Sequence, residues 1–117
     1  MNKTLMIVDD SRLSRNMIKA FVTATKPDWN IIEAESGEQA LTNSEGLAVD
    51  IVTIDYNMPG MDGITLAAHL KAEFPQAKMA LLTANIQDSV KQLAESMNIM
   101  FIRKPITQAK IKSFIEG

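Results

Sequence analysis

The sequence predicts an α/β domain: a five-stranded parallel sheet in the order 2-1-3-4-5 with helices on both faces. Three observations carry that prediction. Four short apolar runs recur along the 117 residues: Leu5-Met6-Ile7-Val8, Ile51-Val52-Thr53-Ile54, Met79-Ala80-Leu81-Leu82 and Ile99-Met100-Phe101-Ile102. Each is continuous rather than alternating, as strands covered on both faces require. The segments between them place apolar residues at helical spacing. The loops are short, so strand-helix alternation resolves into right-handed crossovers that lay helices on both sides of one sheet.

The elements follow in order. The first strand runs into Asp9 and Asp10, and the first helix carries Leu13, Met17, Phe21 and Ala24 as one amphipathic stripe. A weaker strand spans Trp29 to Glu35, with Ile31, Ile32 and Ala34 set between charges, and reads as a sheet edge. Ser36-Gly37-Glu38-Gln39 matches a capping box, so a short helix starts there and stops near Gly46. The third strand ends at Asp55. Met58-Pro59-Gly60-Met61-Asp62-Gly63 then supplies a tight turn, with Asp62 as the cap of the next helix. That helix carries Ile64, Ala67, Leu70 and Phe74 and is ended by Pro75. Thr83 closes the fourth strand; Val90, Leu93, Ala94 and Met97 mark the following helix, closed by Asn98 in a left-handed cap. Lys104 closes the fifth strand directly before Pro105, and Thr107 caps a last helix on Ile111, Phe114 and Ile115. No linker or repeat divides the chain, so residues 1–117 are expected to form a single domain.

Composition narrows the chemistry. Hydrophobic residues make up 46% and charged residues 22%, near the globular average, which excludes wholesale disorder. There is no cysteine, which removes disulfide scaffolds and thiolate zinc sites and suits a reducing, cytoplasmic location. A lone histidine, His69, beside the apolar stripe of its helix reads as a solvated residue, not a ligand or catalytic base. The net charge of −2, with scattered lysines and arginines, leaves no electrostatic footprint for nucleic acid. No apolar run approaches the roughly 18 residues of a membrane span. Eight methionines could form an adaptable binding surface, but several sit at strand or helix core positions, which favours packing as their use.

Carboxylates, a hydroxyl and a lysine remain. In this topology ligands bind at the carboxyl ends of strands 1 and 3. Asp9, Asp10 and Asp55 all fall there. Singly, acidic residues at strand ends are ordinary, and Asp10 reads as a helix N-cap before Ser11. Together they repel one another and call for a hard cation or a lysine. Magnesium fits that demand: oxygen ligands, octahedral, one or two protein carboxylates with waters completing the shell. Thr83 and Lys104 add a hydroxyl donor and a cation on the same edge, a set suited to the equatorial oxygens of a phosphoryl group in transfer. A carboxylate can itself accept that group as an aspartyl-phosphate.

Val8-Asp9-Asp10-Ser11, Asp55-Tyr56-Asn57-Met58-Pro59-Gly60-Met61-Asp62-Gly63, Thr83-Ala84 and Lys104-Pro105 together resemble the receiver domain of bacterial two-component response regulators, the CheY-like type. The resemblance spans the whole chain, with four separated motifs in the right order on the right elements. It implies that Asp55 is the phosphorylated aspartate. It implies that Asp10, Asp55 and the Asn57 backbone carbonyl bind magnesium, with Asp9 acting on the metal through water. Lys104 matches the lysine that contacts the phosphoryl group, before a cis proline bond. Thr83 matches the switch hydroxyl and Phe101 the switch aromatic, a Phe where chemotaxis members often carry Tyr. Asn57 and Asn85 match the variable positions that tune autodephosphorylation.

The function this implies is a phosphorylation-dependent signalling switch, catalysing only its own phosphoryl uptake and loss. A histidine kinase would supply the phosphoryl group, and a separate output protein would bind the face formed by helix 4, strand 5 and helix 5. A monomer or a weak phosphorylation-dependent dimer is expected. Two rivals share parts of this chemistry. An aspartate-nucleophile phosphatase or phosphotransferase acting on an external substrate usually spaces its two aspartates by two residues after the first strand, whereas Asp9 and Asp10 are adjacent. A flavodoxin-like FMN binder needs a phosphate cradle where these two aspartates stand.

Overall fold

The computed structural model describes residues 2–84 and 87–117. Within them strands and helices alternate strictly: β1 (Thr4–Val8), α1 (Arg12–Thr25), β2 (Asn30–Ala34), α2 (Gly37–Asn43), β3 (Ile51–Asp55), α3 (Gly63–Glu73), β4 (Lys78–Thr83), α4 (Asp88–Ser96), β5 (Met100–Arg103) and α5 (Gln108–Glu116). The strands pair in parallel in the order β2-β1-β3-β4-β5, as expected. Among the described residues no helix is long and apolar enough to cross a membrane.

Successive strand residues point to opposite faces, and the apolar runs divide accordingly into two cores. Leu5, Ile7, Ile51, Ala80, Leu82 and Ile102 pack against α1 and α5 through Ile18, Val22, Ile111 and Phe114. Met6, Val8, Val52, Ile54, Met79 and Leu81 pack on the other face against α2, α3 and α4. The three inner strands are thus buried on both sides, which is why their sequences are continuously apolar.

The helix starts agree with the capping chemistry. Ser36, Asp62 and Thr107 each accept the N–H three residues on, from Gln39, Thr65 and Lys110. Gln39 Oε1 also accepts the Glu35 N–H at 2.8 Å. α4 is followed by Asn98 at φ 58°, the left-handed position expected of it.

Several expectations need correction. Leu13, Met17 and Ala24 are exposed, Leu13 by 73%; the buried residues of α1 are Ile18 and Val22 with Phe21 half-buried beside them. The helix carries two overlapping apolar stripes, and contact with the sheet selects the second. Ser11, not Asp10, caps α1, its hydroxyl accepting the Ser14 N–H at 3.2 Å. On α4, Leu93 is 46% exposed while Val90 and Ala94 turn inward. β5 is the second sheet edge, so Met100 is exposed despite its apolar neighbours. Lys104 lies one residue beyond β5 rather than within it.

Candidate functional site

β1 and β3 are adjacent, and the pairing of Val8 with Ile54 sets Asp9, the first residue past β1, beside Asp55, the last residue of β3. Asp9 and Asp55 are buried, while Asp10 is exposed at the rim. One carboxylate oxygen from each of the three lies within 4.8 Å of the others. Asp9 Oδ1 accepts the Ser11 N–H at 2.8 Å. Its Oδ2 is buried without a hydrogen-bond partner. Asp55 Oδ1 accepts from Lys104 Nζ at 3.0 Å and, more weakly, from the Asn57 N–H at 3.4 Å. Lys104 reaches across the end of β4, where its own N–H donates to the Thr83 carbonyl at 2.9 Å, and its bond to Pro105 is cis.

Burial sets the electrostatics. Asp9 is pushed up to about 6, first by removal from water, opposed by the Ser11 N–H, and then raised by Asp55, lowered by Lys104 and raised by Asp10. Asp55 is raised by burial as well; the Lys104 hydrogen bond and charge and the Asn57 N–H oppose this, and Asp10 adds to it. Loss of solvent outweighs repulsion between the carboxylates, reversing the emphasis of the sequence argument. The demand for a cation is the same. Three clustered carboxylates, one with a buried oxygen left unpartnered, form an all-oxygen donor set that fits a hard divalent ion.

The remaining predicted residues fall around this cluster. Thr83 is fully buried at the end of β4, on the same sheet face as Met79 and Leu81. Phe101 is half-buried against that same core, opposite Leu81 in the β4–β5 ladder. Asn57 is exposed at the rim, and Asn85 lies outside the described residues. Two contacts escaped the sequence reading. A Cβ on Gly63 would lie 2.8 Å from the Asp55 carbonyl oxygen, so the helix after the turn packs directly on the site's backbone. Arg15 Nη1 donates to the Asp9 carbonyl at 2.8 Å. Gly63 had a signal, a glycine directly after a cap residue; Arg15 had none, because its reach depends on how α1 is rotated.

The arrangement matches a known one along its full length. The family described as the response regulator receiver domain matches residues 5–116. The chain belongs to this family. The receiver is 35% identical over 118 residues to the chemotaxis protein CheY of Listeria monocytogenes, covering 96% of this chain and 94% of that protein. In fold it is similar to the Vibrio cholerae chemotaxis protein CheY4, with a TM-score of 0.89 at 19% identity over 99% of this chain and 98% of that one. It is similar also to a Burkholderia pseudomallei response regulator solved with a phosphorylated aspartic acid, a calcium ion and citrate, with a TM-score of 0.86 at 18% identity over 97% and 66% of the two chains. The receiver is a phosphorylation-dependent signalling domain of the CheY-like type. The phosphatase alternative draws no support from these relatives.

Proposed function

We propose that this receiver accepts a phosphoryl group on Asp55 from the phosphohistidine of a histidine kinase and passes the signal on by binding a separate output protein. The observation that carries this reading is the buried Asp55 carboxylate with Lys104 Nζ at 3.0 Å and two further carboxylates beside it. An Asp55 oxygen forms the new bond to phosphorus as the donor's P–N bond breaks and the imidazole leaves with the electron pair. Lys104, already aimed at Oδ1, meets the charge on the transferred group. Thr83, buried at the end of β4, supplies a hydroxyl on the same edge. Asp9, Asp10, Asp55 and the Asn57 carbonyl would hold magnesium. When bound, that ion supplies positive charge to the phosphoryl oxygens. Asn57 and Asn85 would set the rate of autodephosphorylation, the only other chemistry proposed for this chain.

Modification changes Asp55 from one negative charge to roughly two and adds strong acceptor oxygens. The output surface we favour is the α4-β5-α5 face. Its support is a groove of about 400 Å³ at β5 and α5, lined by Phe101, Arg103, Ala109 and Lys110 with the exposed Met100 at its edge. The working form would be a monomer or a weak phosphorylation-dependent dimer, in the cytoplasm.

The test is intact-mass measurement after exposure to magnesium and acetyl phosphate. The unsubstituted chain should gain one phosphate and the Asp55→Asn chain none. Stoichiometric labelling of Asp55→Asn at another residue would remove Asp55 as the acceptor.

A further inference from the structure

Arg15 is a charged residue in the first turn of α1, yet its side chain is only 12% exposed. Burial of a guanidinium is tolerated where its donors are taken up, and two of them are. Nε donates to Glu33 Oε1 at 3.2 Å, and Nη1 donates to the Asp9 carbonyl oxygen at 2.8 Å. Glu33 stands opposite Ile7 in the β1–β2 ladder and is drawn also toward Lys19 Nζ at 3.6 Å. One planar fork therefore joins α1, β2 and the end of β1.

The carbonyl it grips belongs to the peptide linking Asp9 to Asp10. That unit is planar, so fixing the oxygen fixes the Asp10 N–H and the direction in which the chain leaves Asp9. Asp9 has two other hydrogen bonds: its N–H donates across to the Ala34 carbonyl at the end of β2 at 3.0 Å, and its Oδ1 accepts from Ser11. The guanidinium hydrogen-bonds this carbonyl, whereas the charges acting on the Asp9 carboxyl are those of Asp55, Lys104 and Asp10.

We infer that Arg15, clamped by Glu33, is a positioning residue for the acidic site: by holding the Asp9–Asp10 peptide it fixes the angle at which both carboxylates meet a divalent cation. This inference rests on the reading of the cluster as a magnesium site. It differs in sign from a simple charge effect. Removing a cation near three carboxylates strengthens magnesium binding by electrostatics alone, whereas loss of the peptide's orientation weakens it.

The experiment is calorimetric titration of the whole chain with magnesium, unsubstituted and as Arg15→Met and Arg15→Lys, with urea unfolding in chelator as the measure of fold stability. Arg15→Met should bind magnesium about 10-fold more weakly, the usual loss when the partner of a ligand is removed. Arg15→Lys keeps the charge but has no fork to hold both partners, so it too should bind several-fold more weakly, and it decides the matter if Arg15→Met does not fold. Unchanged or tighter binding in the folded variants, whatever the change in urea midpoint, would overturn the inference and leave Arg15 as a tie between α1 and β2. If the unsubstituted chain binds no magnesium, the metal reading itself fails and this inference falls with it.

Discussion

Gly63 lies against the backbone of Asp55: a Cβ there would stand 2.8 Å from the Asp55 carbonyl oxygen, 2.8 Å from Leu81 Cδ1 and 2.9 Å from the Tyr56 Cα. Two of these neighbours are backbone atoms, one at the end of the central strand β3, which is buried throughout, and one in the residue that follows it. They cannot move aside as the tip of a side chain can. Gly63→Ala should therefore cost about 1–3 kcal/mol, the range for forcing added volume into a packed interior. Urea unfolding checks the cost, and amide shifts at Asp55 and Tyr56 check its location. A midpoint equal to that of the unsubstituted chain would show that α3 shifts freely at its start.

The burial of Asp9 makes stability depend on pH. Its pKa rises from 3.8 to about 6 on folding, so between those values the folded state holds the proton that the unfolded state has lost. The contribution to stability is present in full below about pH 4 and is lost as pH rises through 6. Without metal, raising the pH from 5 to 7.5 should remove stability through this group, and Asp9→Asn should remove most of that slope. Magnesium should then stabilise the chain more at pH 7.5 than at pH 5, since ligation requires the ionised carboxylates. Urea titrations at the two pH values, in chelator and in magnesium, measure both effects. A pH slope that Asp9→Asn leaves unchanged would contradict the assignment.

Thr53 is buried in the middle of β3, and its hydroxyl has no hydrogen-bond partner. Neighbours on its face include Ile51, Ile7 and Ala80, an apolar setting. An unpartnered buried hydroxyl carries a desolvation cost of about 1–3 kcal/mol. Thr53→Val keeps the branched shape and removes that cost, so the urea midpoint should rise by an amount equivalent to about 1 kcal/mol. A fall would reveal a partner for the hydroxyl that the side chain needs.

Thr83 and Phe101 sit on the same face of neighbouring strands, because Leu81 pairs with Phe101 and Thr83 with Arg103. Movement of Thr83 toward a phosphoryl group on Asp55 would open room on that face, into which the half-buried Phe101 ring can turn. Coupling between such sites is typically worth about 1–3 kcal/mol. In Thr83→Ala, Asp55 should still take the phosphoryl group, but the ring shifts of Phe101 should respond to it much less. Equal responses in both chains would leave Thr83 as a phosphoryl contact with no part in a switch.

Most of the fold and the centre of the site were legible in the sequence. Continuous apolar runs between amphipathic segments mark covered parallel strands, since only burial on both faces favours them. Parallel strands joined by crossovers all end at one edge, so Asp9, Asp10, Asp55, Thr83 and Lys104 converge on it from four separate places in the chain.

What the tertiary structure alone decided concerns phase and depth. Leu13, Met17 and Phe21 make as regular a stripe as Ile18 and Val22, and the two are offset by one residue, about 100° around the helix. Periodicity says which residues share a face. It does not say which face meets the sheet, and that choice turned Arg15 toward Asp9 while leaving Leu13 in solvent. Depth is likewise a property of the packed chain. Adjacent Asp9 and Asp10 are chemically identical in the sequence, yet one is buried with an unpartnered oxygen and the other is exposed. Only the surrounding atoms decide how much water each loses, and for Asp9 that loss is the first cause of its raised pKa.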